Sequence, residues 1–158
     1  MKVRYTKYYD VNKADIIIDA ATRDIVYVTG EKNNPTVNIL GLANDAERLN
    51  KRNGSITVYE GRSDPSKVEN FIRENKPKGV NVYLFSFSDF TTPSFVLVDN
   101  TYLITDIERT PEELEEYRAE DDEPDKDPLP AYCVSTEPED IKKALDIIAK
   151  LNKIAKLI

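Results

Sequence analysis

The 158-residue chain contains no histidine. That absence excludes Ser-His-Asp and Cys-His triads, histidine general bases, and zinc, heme or non-heme iron held through imidazole. A single cysteine, Cys133, leaves neither an intramolecular disulfide nor a Cys-rich metal cage, and one unpaired thiol suits a reducing cytosol. Glycine is scarce, five against nine prolines, and neither a dinucleotide fingerprint nor a phosphate loop is present. No window approaches the roughly 18 uninterrupted apolar residues of a membrane span. Met1-Lys2-Val3-Arg4 opens a polar, tyrosine-rich stretch without the apolar core of a signal peptide, so a cytoplasmic protein is expected.

Charge is present but unevenly spread. The net charge is −7, from 29 acidic and 22 basic residues. Over 106–127, twelve acidic residues stand against Arg109, Arg118 and Lys126, which leaves the remainder of the chain at +2. The acidic balance therefore describes one segment, and it argues only weakly against a nucleic-acid partner. The simplest reading of this stretch is a solvated insertion; a docking surface for a basic partner and a mimic of nucleic-acid charge are the alternatives. Abundant Ile, Lys, Glu and Tyr beside one Met and one Cys lean towards a thermophile.

The hydrophobic spacing predicts alternating elements. Val11, Ala14, Ile17, Ile18 and Ala21 recur at helical intervals over 11–21, and 24–30 (DIVYVTG) is a β-branched run read as a strand. Ile39, Leu42, Ala43, Ala46 and Leu49 mark a helix over 36–53 that stops at Asn53-Gly54, and 55–61 (SITVYEG) is a second strand. Asp64 and Pro65 suit an N-cap and first helical position, with Val68, Phe71 and Ile72 behind them. Strands follow at 80–87, 95–98 and 102–107, the last two joined as a hairpin through Asn100. Thr110 to Glu113 has capping-box spacing for a brief acidic helix, and 121–130, with three prolines, is a loop. A short strand at 132–134 and a second capping box at Thr136 to Glu139 lead into a helix running to the C-terminus. The expectation is one α/β domain over 1–158, a mixed and mostly parallel sheet flanked by helices on both faces, with an acidic helix and loop inserted at 106–130.

Several residue groups invite a chemical reading. Glu74-Asn75-Lys76 fits a nuclease tripeptide but falls at a helix end with no suitable upstream aspartate. Asp89, Asp99 and Asp106 lie near strand ends and could hold Mg²⁺ through oxygen, although acids in three separate turns are ordinarily solvated. Cys133, in an apolar strand and without a histidine to activate it, reads as a small buried hydrophobe. Tyr5, Tyr8 and Tyr9 beside Lys2, Arg4 and Lys7 could stack bases, but an aromatic edge strand is the simpler reading. Ile141, Ala144, Ile148, Leu151, Ala155 and Ile158, widened by Ile147 and Ile154, form a stripe suited to packing on the sheet.

Residues 92–99 (TPSFVLVD), set in order with these elements, resemble part of a phospholipase D-like half-domain. Lys78-Gly79-Val80-Asn81-Val82 is similar to the family's Arg-Gly-Val-x-Val pattern, and 95–105 (FVLVDNTYLIT) to its apolar strand, acidic turn and following strand. The pattern is closest to the ligand-binding domains of archaeal TrmB-type regulators, and the resemblance covers nearly the whole chain. The family's catalytic motif is His-x-Lys followed by an aspartate. Aligned on Asp99, Thr92 stands at the histidine and Ser94 at the lysine, so the nucleophile and the phosphate-binding cation are both missing. The resemblance thus implies a non-catalytic, homodimeric binding or regulatory module of archaeal or archaeal-virus type without a cofactor. Its ligand or protein partner would be met around Thr92, Ser94, Asp99 and Asp106. No winged-helix pattern is read within these 158 residues, so neither nucleic acid nor membrane is the expected partner. The competing readings are a metal-dependent phosphodiesterase using the carboxylates and a single-strand nucleic-acid-binding protein using the N-terminal tyrosines.

Overall fold

Short β-branched and aromatic runs alternate with amphipathic segments, so each strand has an apolar face that a neighbouring helix can cover. The computed structural model describes residues 6–8, 11–31, 39–107, 112, 115 and 131–158, and the side chains of 14–31, 39–105, 112, 115 and 133–158. Eight strands are present among them: β1 (Thr6–Tyr8), β2 (Asp24–Thr29), β3 (Ser55–Arg62), β4 (Val80–Ser86), β5 (Phe95–Val98), β6 (Tyr102–Ile107), β7 (Ala131–Ser135) and β8 (Lys156–Leu157). The helices are α1 (Val11–Asp19), α2 (Ala43–Asn50), α3 (Ser66–Asn75) and α4 (Pro138–Ile154). One sheet holds every strand, in the order β1-β7-β6-β5-β2-β3-β4-β8.

The sheet is mixed. β2, β3 and β4 run parallel, because helices α2 and α3 carry the chain back between them. The pairs β2–β5, β5–β6, β6–β7, β1–β7 and β4–β8 are antiparallel. Parallel pairing is thus narrower than alternation suggests, since tight turns and returning edge strands build both flanks. The expected hairpin is present, with Val96 opposite Ile104 and Val98 opposite Tyr102.

Period-two alternation divides the core into two layers. Ile25, Tyr27, Ile56, Val58, Val80 and Val82 pack on one face against Ala14, Ala46, Leu49 and Ile72 of α1, α2 and α3. Val28, Tyr59, Phe85, Phe95 and Leu97 point the other way, where Ala144 and Leu151 of α4 cover them. Tyr59 stacks on Tyr83 with centroids 5.0 Å apart, and its hydroxyl donates to Asn152 Oδ1, which fixes α4 on its face. Cys133 is buried, as its apolar strand implies.

Most of the expected strands shift by a residue at an end, and three helix boundaries differ for physical reasons. The 36–53 segment opens with a 3-10 turn, Ile39–Leu42, before α2, and 36–38 lie outside the described residues. α3 starts at Ser66, one residue later than expected, with Asp64 accepting the Ser66 hydroxyl at 2.5 Å. α4 does not reach the C-terminus. Ala155 turns extended, and Lys156–Leu157 then pairs along the edge of β4, with the Ile158 N–H donating to the Val82 carbonyl. Backbone groups on an otherwise open strand edge outcompete one more helical turn. The box at Thr136 does not cap the helix through its side chains; the Ser135 hydroxyl instead donates to Asp140 at 2.6 Å and accepts the Glu137 N–H. Of the brief acidic helix expected at Thr110 to Glu113, Glu112 is described and is helical, as is Glu115 beyond it; the rest of it and the 121–130 loop lie outside the described residues.

Leu151 is fully buried between α4 and the sheet, whereas Leu145 on the same helix is 41% exposed. Leu151→Ala is expected to cost about 2–5 kcal/mol in urea unfolding through the lost burial and the cavity left behind. Leu145→Ala should stay within about 0.5 kcal/mol.

Candidate functional site

The four sequence-nominated residues fall at two opposite ends of the sheet. β5 runs from Phe95 to Val98, so Ser94 precedes the strand and Asp99 follows it. Phe95 pairs with Val28 and with Thr105, which places Thr92, Ser94 and the Asp106 backbone at the carboxyl end of β2. Asp99 stands at the amino end of β2 instead, because Val98 pairs with Ile25. The side chain of Asp106 lies outside those described; its backbone pairs with Tyr132 in β7.

Asp99 is a structural clasp. Its Oδ1 accepts the N–H groups of Arg23 (2.8 Å) and Asp24 (2.9 Å), and Oδ2 accepts the Thr22 N–H (2.9 Å) and hydroxyl (3.3 Å). Its own N–H donates to the Asp24 carbonyl at 2.8 Å. The turn that presents it needs two left-handed residues, and Asp99 and Asn100 supply φ values of 52° and 51°. Burial raises the Asp99 pKa, but the N–H donors of Thr22, Arg23 and Asp24 outweigh it and hold the carboxyl below its ordinary value. Asp24 continues the chain of bonds, accepting the Ser55 N–H (3.0 Å) and hydroxyl (2.9 Å) at the start of β3.

At the carboxyl end the residues are packed tightly and mostly spoken for. The Ser94 hydroxyl accepts the Gly30 N–H at 2.9 Å, and the Thr92 hydroxyl donates to the Pro93 carbonyl at 3.1 Å. Both residues are buried. Gly30 is required here, since a Cβ would lie 1.7 Å from the Thr92 carbonyl oxygen. Thr92 also forms, with Glu31, Thr91 and Pro93, the wall of a cavity of about 360 Å³.

The register adds a residue that the motif comparison missed. Thr29 pairs with Glu60 of β3, and Ser94, just before β5, reaches the adjoining Gly30 N–H, so two hydroxyls and a carboxylate lie close together at this end of the sheet. Glu60 is fully buried, and Oε1 accepts Arg62 Nε at 2.8 Å. Burial pushes the Glu60 carboxyl up, opposed by Arg62 and the neighbouring Thr29 hydroxyl. Yet neither Glu60 Oε2 nor Thr29 Oγ1 makes a hydrogen bond of ordinary length and angle. The signal was available in strand alternation, because Ile56, Val58 and Glu60 share a face and the first two are core residues.

Asp89 sits in the turn after β4, where its N–H donates to the Ser86 carbonyl, and so stays apart from Asp99 at the other end of the sheet. No cluster of three metal-ligating side chains occurs among the described residues. Glu74 and Asn75 end α3, and Lys76 is its C-cap.

No family model matches the chain, and no curated protein sequence matches it. Solved structures do match. NucT from Helicobacter pylori has a TM-score of 0.58 at 9% identity over 97% of this chain and 98% of its own. Nuc from Salmonella typhimurium, a phospholipase D family member, gives 0.58 at 13% identity over 98% and 97%. The archaeal chromatin protein TrmBL2, whose structure shows a novel mode of DNA binding, gives 0.58 at 10% identity; this chain spans 54% of its length.

Two substitutions separate the sheet ends. Asp99→Asn should cost about 1–2 kcal/mol in urea unfolding at pH 7, by weakening charge-assisted bonds at a partly exposed site. Because the folded pKa is lowered, that contribution is present above the unfolded aspartate value and disappears as pH falls through the folded one. Glu60 has the opposite sign. Its raised pKa makes ionisation costly as pH rises, so Glu60→Gln should raise the melting temperature at pH 7 and lose that advantage in acid.

Proposed function

The chain has a phospholipase D-like fold, and on that scaffold we propose a non-catalytic binding or regulatory module that works as a homodimer. The observation that carries this reading is the state of the residues at the motif positions. Thr92 and Ser94 replace the nucleophile and the phosphate-binding cation, both are buried, and the Ser94 hydroxyl is engaged with the Gly30 N–H. Asp99, the one surviving motif residue, serves the opposite end of the sheet. A hydroxyl without an adjacent base is a poor nucleophile near neutral pH. The DNA-binding neighbour supports the idea that this fold can serve binding.

Charge disfavours a phosphodiester as the bound group. Glu31, Asp64 and Asp89 follow β2, β3 and β4 at the same end as Glu60, against Arg62 and, in the first turn of α3, Lys67. Among the described residues, a phosphate approaching these strand ends meets more negative than positive charge. The ligand or protein partner is met at the end holding Thr92 and Ser94, with Asp106 following Thr105, the partner of Phe95, at that end of β6. The chain acts as one domain over 1–158, in the cytoplasm, with 106–130 inserted into it. No described helix is long and apolar enough to cross a membrane.

Incubation with bis(p-nitrophenyl) phosphate and Mg²⁺ or Mn²⁺ is expected to release no nitrophenol above the buffer rate. Metal-dependent release that disappears in Glu60→Gln contradicts the reading and establishes the phosphodiesterase alternative. Sedimentation equilibrium is expected to return about twice the 18.0 kDa chain mass. Salt-sensitive binding of a single-stranded oligonucleotide would favour direct nucleic-acid recognition instead.

A further inference from the structure

β4 has the composition of a strand that associates when its edge is bare. Its seven residues, Val80 to Ser86, are β-prone and include no charge, proline or glycine. Pairing with β3 uses one edge of β4. On the other edge, open N–H and C=O groups would be a template for a further strand.

Residues 155–158 close that edge. Ala155 leaves α4 in an extended conformation, Lys156 and Leu157 pair antiparallel with Leu84 and Tyr83, and the Ile158 N–H donates to the Val82 carbonyl at 3.0 Å. Lys156 Nζ donates to both carboxylate oxygens of Glu69, at 3.1 and 3.3 Å, which ties the segment to α3. Apolar packing alone does not demand this path. A continued helix would keep Ala155 and Ile158 on the stripe of α4, whereas the strand leaves Leu157 58% exposed. What the strand gains is the backbone of β4.

The replacement edge recruits poorly. β8 is two residues long and carries the Lys156 ammonium, and short length and lysine both keep an exposed edge from pairing further. We propose that residues 155–158 are a guard strap that blocks a second copy of this chain from pairing along β4. The excluded occupant is β4 of that copy. Antiparallel pairing of a strand with itself about a two-fold axis is self-complementary, and neither strand brings a charge to oppose it. The strap acts whether the closed chain is one copy or two, so it does not rest on the homodimer proposed above.

Sedimentation equilibrium of the full chain, a chain shortened to end at Ala155, and Ile158→Pro tests the strap. Proline at 158 removes the N–H that the Val82 carbonyl accepts. Both variants are expected to keep the full chain's circular dichroism and to reach about twice its mass at equal concentration, through one new β4–β4 contact. Adding Asn81→Lys, which sets an ammonium on exposed β4, should return both to the full-chain mass. The Leu84 amide, which faces Lys156, should resist hydrogen exchange in the full chain and in the associated variants and exchange faster once Asn81→Lys separates them. A folded variant that keeps the full-chain mass overturns the proposal. Association that Asn81→Lys leaves unchanged also overturns it, because the contact then lies on another surface. If the shortened chain does not fold, Ile158→Pro decides alone.

Discussion

One carboxylate holds the centre of this sheet in register. Asp99 follows β5, yet its oxygens gather the N–H groups of Thr22, Arg23 and Asp24 as the chain enters β2. β2 is the hinge of the topology, parallel to β3 on one side and antiparallel to β5 on the other. A slip of one residue there would turn Ile25 and Tyr27 away from α1 and α2 and expose the opposite layer. The bonds to Asp99 resist that slip from outside the strand, and Asp24 passes the constraint to β3 through Ser55.

Fixing the amino end determines what the other end can be. With β2, β3 and β5 in register, Thr29 stands beside Glu60, Ser94 reaches the Gly30 N–H, and Gly30 passes so close to Thr92 that no side chain fits between. Residues that resembled parts of one motif therefore have unrelated physical duties. Asp99 satisfies backbone donors, Ser94 satisfies one more, and Thr92 walls a cavity. The costliest burial is at Glu60, whose carboxylate is compensated by Arg62 and the neighbouring Thr29 hydroxyl.

The strands and the two-faced packing were legible because period-two alternation is strong in DIVYVT and SITVYEG and helical spacing is clear around Ala46 and Leu49. The order of elements also carried the phospholipase D-like fold, which the structural likenesses support. The end of α4 was not legible, because Ala155 to Ile158 continues a helical stripe and only the open edge of β4 diverts it. Nor could spacing along the chain show that Asp99 lies a strand's length from Ser94. Motif spacing counts residues, whereas β5 converts the four between them into opposite ends of a sheet. Glu60 escaped notice because a charged residue near a strand end ordinarily faces water, and only the register with Thr29 reveals its burial.

The separation of the Asp99 clasp from the sheet end that holds Thr92 and Ser94 is the claim on which the rest stands. Native-state hydrogen exchange of Asp99→Asn against the unsubstituted chain measures it residue by residue. The predicted result is faster exchange at the amides of Thr22, Arg23 and Asp24, with Gly30 still protected by Ser94. Equal acceleration at both ends beyond the loss of global stability, or none at Thr22 to Asp24, would contradict the account.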